Sequence, residues 1–290
     1  MPWNPFAKKP DRGFDEEFAA AVGRAGWKVV KITEVDAVIS NGADSRSMNL
    51  YNIRPAWNNG SPEDRERGMT HFVRSAMEPQ DTGDVTFEDA RRRLMPRIGP
   101  PMELAENPVG KVWLVQGALE ANLVLDSEDS MAYIHESTLK EWGRSVESLL
   151  PIALENLRRQ SSPDRWEPIG EVDGLTAYNI MEDYTAARAL IIKDLVHPWP
   201  RHGVILGIPS KIWLFCVRLD SIRAVNAISA LASITAGRYQ KEGWKLMPQP
   251  IWYDGTQWEI VNAWVDGGGL HIAPSPRLTE ALNQLAGAGA

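Results

Sequence analysis

The run His197-Pro-Trp-Pro-Arg-His202 places two imidazoles, an indole and a guanidinium in a segment stiffened by Pro198 and Pro200. Imidazole and guanidinium suit a metal ion or an anion. The histidines stand five residues apart in a loop and no third ligand follows them, which argues against a metal. Trp199, Arg201 and His202 are therefore candidate binding residues, set against the alternative of a rigid crossover in which Trp199 plugs an edge of the core. Asp183, Tyr184, Arg188, His197 and His202 bracket one helix-like segment, and an enzyme site assembled only in three dimensions would draw on them.

Trp252 is the fourth candidate binding residue. If Asp254-Gly255 forms a two-residue turn, Ile251, Tyr253, Thr256, Trp258 and Ile260 share one face of a hairpin, and Trp252 lies on the other with Gln257 and Glu259. An aromatic on a polar face marks a contact surface unless another element covers it. The chain has 12 tryptophans, most of them in strand-like runs.

Other chemistry fails on spacing. Gly203-Val-Ile-Leu-Gly207 followed by Ser210-Lys211 misses the phosphate-loop pattern, and Lys211 opens an apolar strand where that motif needs a helix. Cys216 lies inside Ile212-Trp-Leu-Phe-Cys-Val217, which predicts burial rather than a reactive thiolate. Asp126, Glu128 and Asp129 lack the glycine and distal glutamate of a calcium loop and read as a hairpin turn. His135, beside Glu136, reads as a structural histidine, and Gly267-Gly268-Gly269 as a turn. No carboxylate pair has the spacing of a general acid and base. No catalytic residue, metal or cofactor is assigned.

The composition is that of a soluble globular protein, with 43% hydrophobic and 24% charged residues in 290. One cysteine excludes an intramolecular disulfide and suits a cytoplasmic compartment. The first ten residues lack the apolar core of a signal peptide, and the apolar runs 204–208 and 212–217 are too short to span a bilayer. With 31 Lys and Arg against 38 Asp and Glu the net charge is −7, the opposite of a general nucleic-acid binder. Arg91-Arg92-Arg93 with Arg97 is the one basic patch.

Helical and strand-like periods alternate along the chain. Residues 15–24 read as a helix burying Phe14, Phe18 and Val22, and strands follow over 27–39 and 46–53 around Asn41-Gly42. Ser61-Pro62-Glu63-Asp64 starts a helix that buries Met69, Phe72, Val73 and Ala76. Alternation over 119–126 reads as a half-buried strand with Glu120, Asn122, Val124 and Asp126 on one side, followed by a strand over 131–135. The clearest helix covers 145–159. Asp173-Gly174 turns a hairpin, a helix runs over 184–195, and strands over 203–208 and 212–219 lead to a helix over 221–239. Its Ile222, Val225, Ile228, Leu231 and Ile234 form an apolar stripe, and its alanines permit close packing on a sheet.

Helix–strand–strand thus recurs about five times, and the fold expected is α+β, with antiparallel sheets from repeated helix–hairpin units and helices on the sheet faces. Gly99-Pro100-Pro101 and Asn107-Pro108 suggest an N-terminal domain over 1–98, a linker over 99–110, a C-terminal domain over 111–284 and a flexible tail over 285–290.

Three stretches resemble the YtpQ-like bacterial proteins, a family known chiefly as a domain of unknown function. They are Met48-Asn-Leu-Tyr-Asn52, the helix ending in Ala153-Leu-Glu-Asn-Leu157, and Ile208-Pro-Ser-Lys211 between two apolar strands, in matching order from about residue 14 to 258. Where the family pattern has Arg-Asp after the proline turn, this chain has Lys211-Ile212. The resemblance implies an intracellular α+β protein and carries no activity. Together these observations point to a binding or adaptor module acting on a protein partner through exposed aromatics. An enzyme of unidentified class and a homo-oligomeric scaffold are the alternatives.

Overall fold

Phe14, Phe18 and Val22 recur at the helical interval, and all three are buried on one side of α1 (Phe14–Arg24). The computed structural model describes residues 13–32, 36–41, 45–50, 53–77, 85–101, 108–126, 131–170, 172–180, 182–242, 245–266 and 269–288. Asp15, Glu16 and Glu17 occupy the first turn of α1 and Arg24 the last, the arrangement the helix dipole favours. An antiparallel meander follows, β1 (Lys28–Ile32), β2 (Asp36–Ser40) and β3 (Ser45–Asn49), then α2 (Ile53–Asn59) and α3 (Pro62–Met77). The run 27–39 therefore holds two strands, and residues 33–35 between them lie outside the described residues. The strand expected over 46–53 stops at Asn49, and Ile53 opens α2. Gly42 and Tyr51-Asn52 lie outside the described residues. Ala37, Ile39, Met48 and Leu50 bury with Phe18, Met69 and Val73 to form the core of a compact unit, Met1–Gln80.

Asp81–Ala290 is a second compact unit. It runs through α4 (Phe87–Ala90), β4 (Leu94–Gly99), β5 (Lys111–Val115), β6 (Leu119–Asp126), β7 (Met131–Tyr133), α5 (Glu136–Glu141) and α6 (Val146–Arg159). β6 is central: β4 pairs along one edge, and β5 and β7 pair along the other. The expected linker over 99–110 thus connects two strands of one sheet, and the division between compact units falls at 80/81. Pro100 and Pro101 lack the amide protons that would extend the β4 ladder, so they mark a strand end. Residues 102–107 and 127–130, the latter holding most of the acidic turn, lie outside the described residues.

The chain continues through β8 (Trp166–Pro168), β9 (Leu175–Tyr178), a 3-10 segment (Ala186–Ile191), α7 (Ile192–Leu195), β10 (Val204–Gly207), β11 (Phe215–Arg218), α8 (Ala224–Lys241), β12 (Ile251–Tyr253), β13 (Trp258–Ile260), β14 (Asn262–Asp266), β15 (Gly269–Ala273) and α9 (Pro276–Ala288). Six strands form an antiparallel sheet in the order β13-β12-β10-β11-β9-β8, and β14-β15 form a separate hairpin whose turn, Gly267-Gly268, is outside the described residues. Ile205, Phe215 and Val217 bury against α8 and α9, while Val204, Leu206 and Cys216 bury against the 3-10 segment and α7. A strand covered on both faces reads as an unbroken apolar run, as 204–208 does. The fold is α+β, with helices packed on antiparallel sheets.

Three details depart from the periodic reading. The helix expected over 184–195 is wound tighter, as 3-10 and then one α turn, with Arg188 N–H bonded to Thr185 O at 3.2 Å. The buried side of α8 combines Ile228 and Leu231 of the expected stripe with the small Ala224, Ala227 and Ala232, leaving Val225 and the preceding Ile222 exposed. Close approach decides this: a Cβ on Gly207 of β10 would stand 2.2 Å from Thr235 Oγ1 of α8. Last, residues from 285 onward do not fray as a unit. Ser275 Oγ accepts from Leu278 N–H, Pro276 occupies the first turn, and Leu278, Ala281 and Leu285 are buried, Leu285 with only 6% exposure. Residues 289–290 are outside the described residues.

The β12–β13 hairpin forms at Asp254-Gly255 with a loop of residues 254–257, since Tyr253 faces Trp258. Asp254 Oδ1 accepts from the amides of Thr256 (2.7 Å) and Gln257 (2.8 Å) and from the Thr256 hydroxyl (2.7 Å). Burial alone would raise its pKa, but these bonds and the Arg277 guanidinium hold it below its ordinary value.

Leu285→Ala is expected to cost about 2 kcal/mol in urea unfolding, whereas a frayed tail would register no change. Because the folded pKa of Asp254 is depressed, its contribution is complete above about pH 4 and is lost as pH falls through the folded value. Asp254→Asn should therefore make the stability profile shallower below pH 4, as read by thermal unfolding across pH.

Candidate functional site

Trp252 shares its face with Glu259, as the alternation predicts, yet that face is covered. The indole has 4% exposure, donates its N–H to His202 O at 2.8 Å, and lies 5.1 Å beneath the Arg277 guanidinium at the start of α9. It is a core residue, packed with Leu278 and Ala281. Trp199 is half-buried, edge-on to Tyr253 (5.9 Å), which stacks on Trp258 at 4.2 Å. Arg201 is exposed, and burial, then the Arg201 charge, lowers the pKa of the half-buried His202. The one tryptophan among the described residues with half its surface in solvent is Trp264 (50%), stacked on His271 across β14–β15. Nothing in its spacing distinguished it.

Asp183, Tyr184 and Arg188 go to three different partners. Lys211 Nζ stands 2.7 Å from Asp183 Oδ1, and the Tyr184 hydroxyl donates to Asp126 Oδ1 at 2.7 Å. Burial and this bond push the Tyr184 pKa far up. Arg188, with no exposed surface, donates to Ser161 Oγ (2.9 Å), Gln160 O (3.0 Å) and Glu182. These groups clamp the 3-10 segment to its surroundings. Burial pushes the Cys216 thiol up to about 12, so it carries no thiolate at neutral pH. Among the described residues no group of three His, Cys, Asp or Glu side chains is arranged to hold a metal ion.

The polar side of β6 is the principal surprise. Glu120 has no exposed surface and Asn122 has 2%, so β6 is covered on both faces rather than half-buried. Lys111 Nζ lies 3.1 Å from Glu120 Oε2, Asn122 Nδ2 donates to Glu120 Oε1 at 3.1 Å, and Arg97 Nη1 donates to Met131 Sδ at 2.7 Å. The Tyr133 pKa is raised by burial first, with Arg97 opposing and Glu120 adding to the shift. Arg97 thus belongs to this interior cluster and leaves the basic patch named with Arg91-Arg92-Arg93. The two cations and one anion are engaged within the fold.

The other arginines line an open groove of about 950 Å³ between the turn after α4 and one side of α6. Thr86 caps α4 by accepting from Asp89 N–H at 3.3 Å, and Arg91 N–H and Arg93 N–H close the turn on Phe87 O and Ala90 O. Asn156 fixes the turn to α6, donating through Nδ2 to Arg91 O and Leu94 O, each at 2.9 Å. Arg93 is tied to the end of β6 by reciprocal bonds, its Nε to Asp126 O (2.8 Å) and Asp126 N–H to Arg93 O (2.9 Å). Arg91 and Arg92 are exposed, and their guanidiniums make no hydrogen bond or ion pair among the described residues. Arg159 of α6 joins them, held loosely by Glu155 at 3.5 Å with both groups well exposed. Glu88, Asp89, Pro151 and Ile152 complete the lining. The triplet was legible as a patch; Arg159, more than 60 residues on, had no sequence signal joining it.

Comparison with protein-family models, with curated proteins and with solved structures finds no match to this chain.

Asn156→Ala removes the donor from two carbonyls at a largely buried position and is expected to cost about 2 kcal/mol. Amide exchange at 91–94 should accelerate more than exchange in β10 and β11, and uniform acceleration would deny Asn156 its local role.

Proposed function

We propose that this chain is a binding module whose second unit takes up an anionic group, phosphate or carboxylate, in the arginine groove. The observation that carries this reading is the pair Arg91 and Arg92, two guanidiniums without an intramolecular partner on a turn anchored by Asn156 and Arg93. Guanidinium presents a planar fork that matches carboxylate or phosphate oxygens two at a time. Anchoring the turn beforehand lowers the ordering cost on binding. The net charge of −7 opposes association with long polyanions, so nucleic acid is disfavoured and a protein partner bearing the anion is preferred.

The adaptor reading is kept, but with the groove in place of an aromatic patch, since Trp252 is core and Trp199 packs on Tyr253. A cytoplasmic setting is part of the proposal, supported by one buried, reduced cysteine and by the lack, among the described residues, of a helix long and apolar enough to cross a membrane. Membership of the YtpQ-like family is likewise proposed. Asn156, from its Ala153-Leu-Glu-Asn-Leu157 stretch, is the side chain that holds the arginine turn.

A peptide carrying one phosphoserine should bind saturably and shift the side-chain NMR signals of Arg91 and Arg92. Arg91→Ala with Arg92→Ala should weaken it at least tenfold, in line with about 1.5–3 kcal/mol for hydrogen bonds to charged groups, and added salt should weaken it further. A folded double variant that binds as the parent does would refute the proposal.

A further inference from the structure

We infer that the groove is matched to a dipolar ligand, a peptide segment on which a phosphorylated side chain lies within about two residues of a basic one. This rests on the anion-binding reading and deepens it. The groove is not uniformly cationic: Glu88, Asp89 and Glu155 line it together with Arg91, Arg92, Arg93 and Arg159. Two of these acids are already engaged. Asp89 accepts from the Thr86 hydroxyl at 2.6 Å, and Glu155 lies 3.8 Å from Arg158 and 3.5 Å from Arg159. Glu88 is exposed and has no partner among the described residues. The side chains free to meet a ligand are therefore two guanidiniums and one carboxylate, all within a five-residue stretch.

That pattern separates ligand classes. A chain of evenly spaced negative charges that puts one phosphate on Arg91 and Arg92 shares the groove with the Glu88, Asp89 and Glu155 carboxylates and is repelled by them. A segment with a cation beside its phosphate gains at both ends instead. The apolar floor suits it as well: Pro151 and Ile152 offer a surface for the aliphatic stem of a lysine or arginine whose head reaches a carboxylate. Like charges thus exclude the wrong ligand while unlike charges hold the right one.

The test uses the full chain and three labelled peptides of equal length, followed by fluorescence anisotropy. One has phosphoserine with an arginine two residues away, one has phosphoserine with glutamate there, and one has unphosphorylated serine with the arginine. Inorganic phosphate serves as competitor. The dipolar peptide should bind at least tenfold tighter than either of the others. Glu88→Gln should shrink the gap between the two phosphopeptides and, by removing a like charge, tighten inorganic phosphate. If the acidic phosphopeptide binds as well as or better than the dipolar one, the dipolar inference falls while anion binding stands. If neither phosphopeptide nor phosphate binds the folded chain, both fall.

Discussion

Six consecutive pairs, from Leu94 opposite Leu125 to Gly99 opposite Glu120, join β4 to β6, and the placement of the second unit's charged groups follows from them. Side chains alternate between faces, so this register puts Arg97 opposite Asn122 and on the side of Glu120. A slip of one residue would turn the guanidinium into the apolar layer occupied by Leu123 and Leu125. Arg93, one step before β4, meets Asp126 at the end of β6 through two backbone-directed bonds. With Arg93 fixed there and Arg91 O held by Asn156, the turn that carries Arg91 and Arg92 is set beside α6. The groove is a product of strand register.

The ions inside the sheet bear on the same register. Removing Glu120 from water carries a cost that its attraction to the part-exposed Lys111 only partly offsets, and an apolar pair of similar volume would serve stability equally well. An apolar pair would also tolerate β5 sliding by two residues, because any apolar side chain fits an apolar neighbour. A lysine that must find one carboxylate does not. The Lys111–Glu120 pair is best understood as specifying how β5 docks on β6, which already contains an irregularity between Trp113 and Val115.

Elements with a strong period were legible in the sequence, because burial on one side imprints the period directly. Phe14, Phe18 and Val22 in α1, the stripe of α6, and the hairpins at Asp173-Gly174 and Asp254-Gly255 belong to this class. What could not be read was how many layers cover a face. Alternation around Glu120 and Asn122 signals two unlike faces, and it does not say whether the polar one meets water or a second layer. Trp252 failed for the same reason, since α9 covers its face. That helix was itself missed although Ser275-Pro276 repeats the start signal of Ser61-Pro62, because the small residues from Ala286 to Ala290 made the end of the chain read as a tail. The candidate site was half legible. Arg91-Arg92-Arg93 is visible in any listing of the residues, but the neighbours that make it a groove come from α6, and local spacing carries no information about them.

An acidic chain has a particular reason to carry its free arginines on an anchored turn. Long-range potential from a net charge of −7 repels anions from the surface as a whole, so attraction must come from contacts short enough to escape screening. Guanidiniums on flexible stems would fold back onto the many nearby carboxylates, as Arg158 and Arg159 do with Glu155. Arg91 and Arg92 make no such pair: the carboxylate of Asp89 is already occupied with the Thr86 cap, and Asn156 and Arg93 hold the backbone of their turn. What carries the proposal is that two such guanidiniums stand side by side in one groove on a backbone that has been held still.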